Sequence, residues 1–256
     1  IIENRKLRLF AWLFIVATGN VLMSCTSDEE RGNSVLDGTY PMSFVGQVFD
    51  RPLTRTTSEG SWDGTEKVAI HIGEEVKLYT ADENGGLTAD EPFIGNKTEA
   101  VDVLAWYPCN ETEVPVSFSV QQDQNLENGY QNSDFLRARN HFSFSDQPTL
   151  DFYHLPAKVQ LKLKAGEGVE DEETIKDASI SFVQYVVDLG ELDMTSGTVA
   201  QTSGNTEIVP LKFSGDKITE GYLQTVQALL VPQQMKGIPF IKIVINNVPS
   251  YYIPEE

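Results

Sequence analysis

Apolar and polar residues alternate along most of the chain beyond residue 37. In the clearest run, 157–164, Ala, Val, Leu and Leu alternate with Lys, Gln, Lys and Lys. A period of two is typical of a β-strand with one buried face, whereas an amphipathic helix repeats about every 3.6 residues. The pattern therefore predicts strands through this part of the chain. Further alternating runs are present at 40–50, 67–72, 101–107, 116–120 and 241–245.

Turn-forming residues separate these runs. Clusters of Gly with Asn, Asp or Ser are typical of tight connections between strands, and they lie at 84–86, 128–129, 203–205 and 214–216, with a Gly-Glu-Gly segment at 166–168. Many short strands joined by such turns favour an all-β fold of β-sandwiches. The chain is long enough for two sandwiches of ordinary domain size. The tidier alternation after Leu155-Pro156 predicts an N-terminal sandwich over 37–155 and a C-terminal sandwich over 156–256.

Residues 1–24 are predicted to be a lipoprotein signal peptide. Basic residues precede an apolar run, 9–17, that is far shorter than the roughly 20 residues needed to span a bilayer. Leu22-Met23-Ser24-Cys25 then matches a lipobox. We therefore expect cleavage between Ser24 and Cys25 and acylation of the Cys25 thiol. The other interpretation is an ordinary secretory leader in which this cysteine has no role.

The composition is strongly acidic, and this bears on partners. The chain has 19 Lys and Arg against 38 Asp and Glu, which gives a formal net charge of −19. Nucleic acid is disfavoured as a partner because a phosphate backbone needs a basic surface. Three acidic residues, 28–30, follow Cys25 closely. We interpret 25–36 as an acidic, flexible tether, and it resembles the surface-export signal of Bacteroidetes lipoproteins.

The sequence has no recognisable catalytic or metal-binding motif. His71, His141 and His154 are widely spaced and form no HExxH pair. Acidic clusters at 82–85 and 170–173 lack the oxygen spacing of a calcium loop, so we expect solvated hairpin tips. No nucleophile elbow or phosphate-binding glycine loop is present. We expect the chain not to be an enzyme, and to hold no metal and no cofactor other than covalent lipid.

Several single residues have two interpretations each. Trp62, Trp106 and Tyr107 are suited to stacking on a carbohydrate, but packing in the core is the commoner role of such side chains. His154 is in phase with the apolar residues before it, which favours a position in or beside the core. Cys109 has no neighbouring base in the sequence, so we expect a small, unactivated thiol.

Seven short segments follow one another in an order and spacing that is itself informative. They are Thr54-Arg55-Thr56, Gly60–Gly64, Val103–Pro108, Ser133–Ala138, His154–Val159, Gly190–Asp193 and Ala228–Gln233. Each segment is weak alone. Together, and with the lipobox ahead of them, they resemble the fimbrillin-like (Mfa-like) family of Bacteroidales, whose members are the subunits of type V pili.

The resemblance implies a structural subunit of a cell-surface fimbria that contributes to adhesion, with two tandem transthyretin-like β-sandwiches. It also implies export as an outer-membrane lipoprotein and polymerisation with other pilus subunits, identical or different. The family normally continues beyond the equivalent of 251–256 with a closing strand, so we expect the C-terminal sandwich here to lack its last strand. The alternative is a surface lipoprotein that binds glycan or a host protein without polymerising.

The resemblance further implies that a trypsin-like protease removes the lipid together with the first strand, so that another subunit's strand fills the vacancy. Two features of the sequence are consistent with such a cut. The predicted strand 40–50 has four apolar side chains on one face, and a polar segment, 51–60, follows it. Exposed polar loops are where proteases cut folded domains. Pro52 makes Arg51 a poor target, so we expect cleavage between Arg55 and Thr56.

Overall fold

The computed structural model describes residues 40–49, 62–95, 99–109, 113–143, 148–168, 171–202 and 206–255. Within these ranges the chain forms nineteen β-strands, one α-helix of four residues and two 3-10 turns. The all-β prediction is confirmed. The short alternating runs cannot form helices, because a helix would place their apolar side chains on all sides. In the described residues no helix has the length and apolar character needed to cross a membrane.

Ten strands precede residue 155. They are β1 (Tyr40–Pro41), β2 (Phe44–Phe49), β3 (Lys67–Ile72), β4 (Glu75–Ala81), β5 (Gly86–Thr88), β6 (Ile94–Gly95), β7 (Ala100–Tyr107), β8 (Ser117–Ser119), β9 (Leu136–Ser143) and β10 (Thr149–His154). Seven of them form a closed barrel in the order β10-β2-β5-β4-β3-β7-β9. β1 and β6 form a separate two-stranded sheet.

Nine strands follow, and together with β8 they form three open sheets. They are β11 (Ala157–Leu163), β12 (Ser179–Val186), β13 (Leu189–Asp193), β14 (Thr198–Gln201), β15 (Thr206–Ile208), β16 (Leu211–Lys212), β17 (Gln224–Leu230), β18 (Ile241–Ile245) and β19 (Val248–Tyr252). The sheet orders are β11-β17-β16, β15-β12-β18-β19 and β14-β13-β8. The helix α1 is Glu173–Lys176, and the 3-10 turns are Gln131–Ser133 and Gly215–Lys217.

The described residues form two hydrophobic cores. One fills the barrel and includes Phe44, Ile70, Tyr79, Leu87, Val103, Leu150 and Phe152. The other includes Phe118, Phe182, Leu192, Ile208, Val226 and Ile241, together with Ala69 and Trp106 from the barrel strands β3 and β7. The wall made by β3 and β7 is therefore buried on both faces. Gly38–Glu256 form one compact unit, and the domain boundary near 155–156 stays a prediction.

The run predicted as one strand over 40–50 is divided into β1 and β2. β1 pairs with β6, whereas β2 pairs with β10 and β5. The apolar face itself is confirmed for the described part of the run: Met42 is 8% exposed, Phe44 is 1% exposed and Val48 is half-buried. The division arises because the segment leaves one sheet for another while its inward side stays the same.

Candidate functional site

The first long strand, β2, closes the barrel. It runs parallel to β10 over five residue pairs, from Thr149↔Val45 to Tyr153↔Phe49. On its other side it runs antiparallel to β5, where Phe44 pairs with Leu87. Without β2, the barrel would be open between β10 and β5. Open strand edges present unpaired N–H and C=O groups, which are a template for another strand.

The inward face of β2 is a row of apolar contacts. The Phe44 ring meets the Tyr79 ring edge-on, with 5.2 Å between centroids. The outward residues behave differently, since Gln47 is exposed and Phe49 is 39% exposed. Phe49 stacks on Tyr153 of β10 with 5.7 Å between ring centroids. β2 thus contributes a large buried aromatic side chain inside the barrel and a stacked aromatic pair outside it.

Two core side chains of the barrel also form hydrogen bonds with the backbone of residues 40–49, the segment that contains β1 and β2. The indole Nε1 of Trp62 donates to the carbonyl of Gly46 at 2.8 Å. The Tyr79 hydroxyl donates to the carbonyl of Met42 at 3.2 Å and accepts from the Phe93 N–H at 2.8 Å. Burial raises the pKa of Tyr79, so the phenol stays a donor at neutral pH. These bonds hold the strand through its backbone, whatever its side chains are.

The residues predicted to be processed, Ser24, Cys25, Arg55 and Thr56, lie outside the described residues. Their roles stay predictions. The described neighbours of the predicted cleavage segment are Phe49, where β2 ends, and Trp62.

The aromatic residues considered as a carbohydrate platform lie in the cores instead. Trp62 is 6% exposed and packs edge-on against Phe152, with ring centroids 5.3 Å apart. Trp106 is 1% exposed and belongs to the second core. Tyr107 is half-buried, with its ring edge-on to Trp62 at 5.9 Å. The core interpretation is therefore correct for both tryptophans, and no flat, exposed ring face remains at these positions.

Two of the histidines each lie beside one carboxylate. His154 Nδ1 lies 2.7 Å from the Asp134 carboxylate, and His141 Nδ1 lies 3.1 Å from that of Asp102. The first pair is mostly buried and the second is exposed. Among the described residues no three His, Cys, Asp or Glu side chains come together as a metal site would require. Cys109 is half-buried and packs against the second core.

The acidic clusters have structural roles. The Asp82 carboxylate accepts hydrogen bonds from the backbone N–H of Asn84 at 2.7 Å and of Gly86 at 2.8 Å, which makes the predicted hairpin tip. The second cluster is different. Asp171 accepts from the N–H of Glu173 at 3.1 Å, and the chain continues there into α1 rather than into a hairpin. The hairpin prediction is wrong at this position because the acidic residues begin a short helix, where negative charge is favourable.

Sequence reasoning missed an arginine contact that joins the barrel to a distant hairpin. Arg137 of β9 donates through Nε to the carbonyl of Met194 and through Nη2 to that of Thr195, both at 2.6 Å. Arg139 donates to the Thr195 carbonyl at 3.1 Å from an exposed position. Burial, and then the neighbouring Arg139, lower the pKa of Arg137. No periodicity reveals this contact, since its residues are 57 and 58 positions apart.

We expect Arg137→Ala to lower the free energy of unfolding by about 2 kcal/mol, because the Met194 carbonyl loses its charged donor in a partly buried position and the Thr195 carbonyl keeps only Arg139. Arg139→Ala is the matched control. Its single contact is exposed, so we expect a loss within about 0.5 kcal/mol. Urea denaturation of both variants measures the difference. Equal effects of the two substitutions would show that the Arg137 contacts do not stabilise the fold.

Both the sequence and the fold of the chain are similar to those of known proteins. The fimbrillin-like family model matches residues 54–253, so β1 and β2 precede the matched part. Candidate cell adhesion proteins of known structure from Bacteroides ovatus and Bacteroides uniformis each have a TM-score of 0.60 and 15% identity to this chain. The alignments cover 84% of this chain and 86% of the former, and 83% of this chain and 84% of the latter.

A third such protein, from Bacteroides thetaiotaomicron, has a TM-score of 0.51 and 16% identity, over 85% of this chain and 86% of its own. At these identities the likeness concerns the fold. Among curated proteins, none matches the sequence. The family match spans well over half of the residues. On this evidence the chain belongs to the fimbrillin-like family.

Proposed function

We propose that this chain is a structural subunit of a cell-surface fimbria, assembled by strand exchange after proteolytic removal of its first strand. The subunit is exported as a lipoprotein, with acylated Cys25 holding it to the outer membrane until cleavage between Arg55 and Thr56 transfers it to the fimbrium. Its partners are other pilus subunits, identical or different. It needs no cofactor beyond the covalent lipid.

The observation that carries the proposal is the position of β2. It closes the barrel, it is the first long strand of the described chain, and it lies just before the segment that contains Arg55. A cut in that segment separates β2 from the rest of the barrel in sequence. The matched family residues begin at 54, which is consistent with a mature unit that starts near this point.

The energetics favour replacement over simple loss of the strand. Burial of a large apolar side chain contributes about 1.5–3 kcal/mol, so the inward residues of the first strand segment contribute roughly 6–12 kcal/mol at most. After a cut, that burial still holds β2 in its place. An incoming strand that makes the same contacts regains the burial free energy that is lost when β2 leaves. It also pairs the open edges of β10 and β5 again. Exchange therefore needs a donor strand and not only a protease.

A second candidate function is a surface lipoprotein that binds glycan without polymerising. It is favoured by the stacked pair of Phe49 and Tyr153, which are 39% and 43% exposed on the outside of the barrel. Exposed aromatic faces suit sugar rings. The two functions make opposite demands on β2. Glycan binding at this pair needs Phe49 in place, whereas assembly removes it with the strand.

The test treats the purified full-length protein with an arginine-specific protease. We expect N-terminal sequencing to begin at Thr56, and ladders that resist mild detergent to appear once β2 is displaced. Arg55→Ala should remove both results, and Arg51→Ala, the matched control, should change neither because Pro52 already protects that bond. Cleavage at Arg55 that leaves a monomer with β2 retained would favour the second candidate.

A further inference from the structure

The middle of β2 has no room for a side chain on its inward face. A Cβ atom placed on Gly46 would lie 3.1 Å from Cε2 of Phe152, 3.2 Å from Cδ1 of Leu87 and 3.4 Å from Cζ2 of Trp62. Phe152 and Leu87 are fully buried, and Trp62 is 6% exposed. Close-packed core side chains move only by tenths of an ångström at small cost. A methyl group is therefore tight here, and a branched side chain does not fit.

The backbone at this point cannot move away to make space. The Gly46 N–H donates to the carbonyl of Gly85 at 2.8 Å, and the Gly46 carbonyl accepts from Trp62 Nε1 at 2.8 Å. Gly85 itself has φ +84°, and a Cβ on it would lie 2.5 Å from the Gly46 carbonyl oxygen. The two glycine backbones are thus in close approach. The β4–β5 turn holds the strand on one side, and core side chains pack against its inward face. The backbone at Gly46 therefore has no direction in which to shift.

The inward positions two residues before and after Gly46 need side chains, whereas position 46 has room for none. The place of Phe44 takes an aromatic ring against Tyr79, and that of Val48 takes a smaller apolar side chain. Any strand seated here must therefore offer an aromatic residue, then a glycine, then a β-branched residue at alternate positions. Of the 19 glycines in the sequence, only Gly46 has an aromatic residue two positions before it and a β-branched residue two positions after it.

We propose that the place of β2 in the barrel is a sequence-selective strand-binding site, and that glycine at the position of Gly46 is its specificity determinant. The inference rests on the proposed function, since an incoming strand is expected only where β2 leaves. The occupant is a strand of a partner subunit with the aromatic–x–glycine–x–β-branched pattern. The other strands of the described residues lack the pattern and do not compete.

The test uses the full chain cut within 51–60, at an introduced protease site, and fluorescent peptides that cover 40–49. The peptides have the natural sequence, Gly46→Ala, Gly46→Val or Gln47→Val. Position 47 points outward and is exposed, so the Gln47→Val peptide places the same branched side chain in the strand with no clash. We expect Gln47→Val to bind within about twofold of the natural peptide, and Gly46→Val to bind about 100-fold more weakly. Gly46→Ala should lie between them.

Equal binding of the Gly46→Val and Gln47→Val peptides would overturn the selectivity. If no peptide binds, the natural one included, then strand exchange fails, and with it the proposed function. The steric requirement is measured separately in the uncut chain, where Gly46→Val should lower the melting temperature by roughly 5 °C and Gln47→Val should not. Equal melting temperatures of the two variants would show that packing at position 46 does not require glycine.

Discussion

Replacing Cys25 with alanine is expected to abolish acylation and to leave the precursor uncut. The lipobox Leu22-Met23-Ser24-Cys25 has one thiol to modify, and signal cleavage before the cysteine follows its acylation. A single acyl chain binds a membrane only marginally, so stable attachment needs the two or three chains of a mature lipoprotein. The Cys25→Ala protein, uncut and without acyl chains, should therefore be missing from the outer-membrane fraction. Labelling of growing cells with radioactive palmitate measures the effect directly.

Cys109→Ala is the matched control, because Cys109 is the other cysteine of the chain and lies half-buried against the second core. We expect this variant to take up label like the natural protein. Label that persists in Cys25→Ala would contradict the lipobox interpretation and favour an ordinary secretory leader. The fold is expected to be unchanged in both variants, so membrane attachment is tested apart from barrel stability.

The sequence predicts well the strands in which large apolar side chains recur at every second position. The runs at 67–72 and 241–245 coincide with β3 and β18, and the run at 157–164 differs from β11 by one residue. A strand's side chains alternate between two faces, so burial of one face leaves its period in the sequence. In β3 the alternation is blurred by Ala69, since this wall of the barrel is buried on both sides.

Pairing between distant strands is not predictable from that period. β8 lies in the first half of the chain, yet it pairs with β13 and its Phe118 belongs to the second core. The fully buried Gln124 side chain shows the same limit. Its amide exchanges hydrogen bonds with the backbone of Leu229, 105 residues away. Nothing local in the sequence distinguishes this glutamine from the exposed Gln122 two positions earlier.

The candidate site was predictable only in outline. Alternation identifies the inward face of the first strand, including Phe44, but not which strands receive it. It also leaves open whether Trp62 is exposed, and the structure places the Trp62 indole N–H on the Gly46 carbonyl. The need for glycine at position 46 depends on three side chains from other elements. Such a requirement belongs to the assembled core and not to the strand's own pattern.

Phe44→Ala is expected to loosen the first strand more than any other single substitution within it. Phe44 is 1% exposed and fills the barrel against Tyr79. Truncation of a buried phenylalanine to alanine lowers the free energy of unfolding by about 3–5 kcal/mol, and part of this loss arises because a cavity remains. Since β2 closes the sheet, this loss should appear first as local opening between β10 and β5. Hydrogen exchange of the β2 amides should then be faster by roughly 100-fold or more.

Gln47→Ala provides the comparison within the same strand, because Gln47 is exposed and leaves the core unchanged. We expect its β2 amides to keep the natural protection. In Phe44→Ala, the amides of β17 should also keep theirs, since β17 lies in another sheet and its apolar residues belong to the second core. Faster exchange throughout the protein would mean that β2 does not open on its own. Exchange of the strand would then require unfolding of the whole barrel, which is incompatible with assembly from folded subunits.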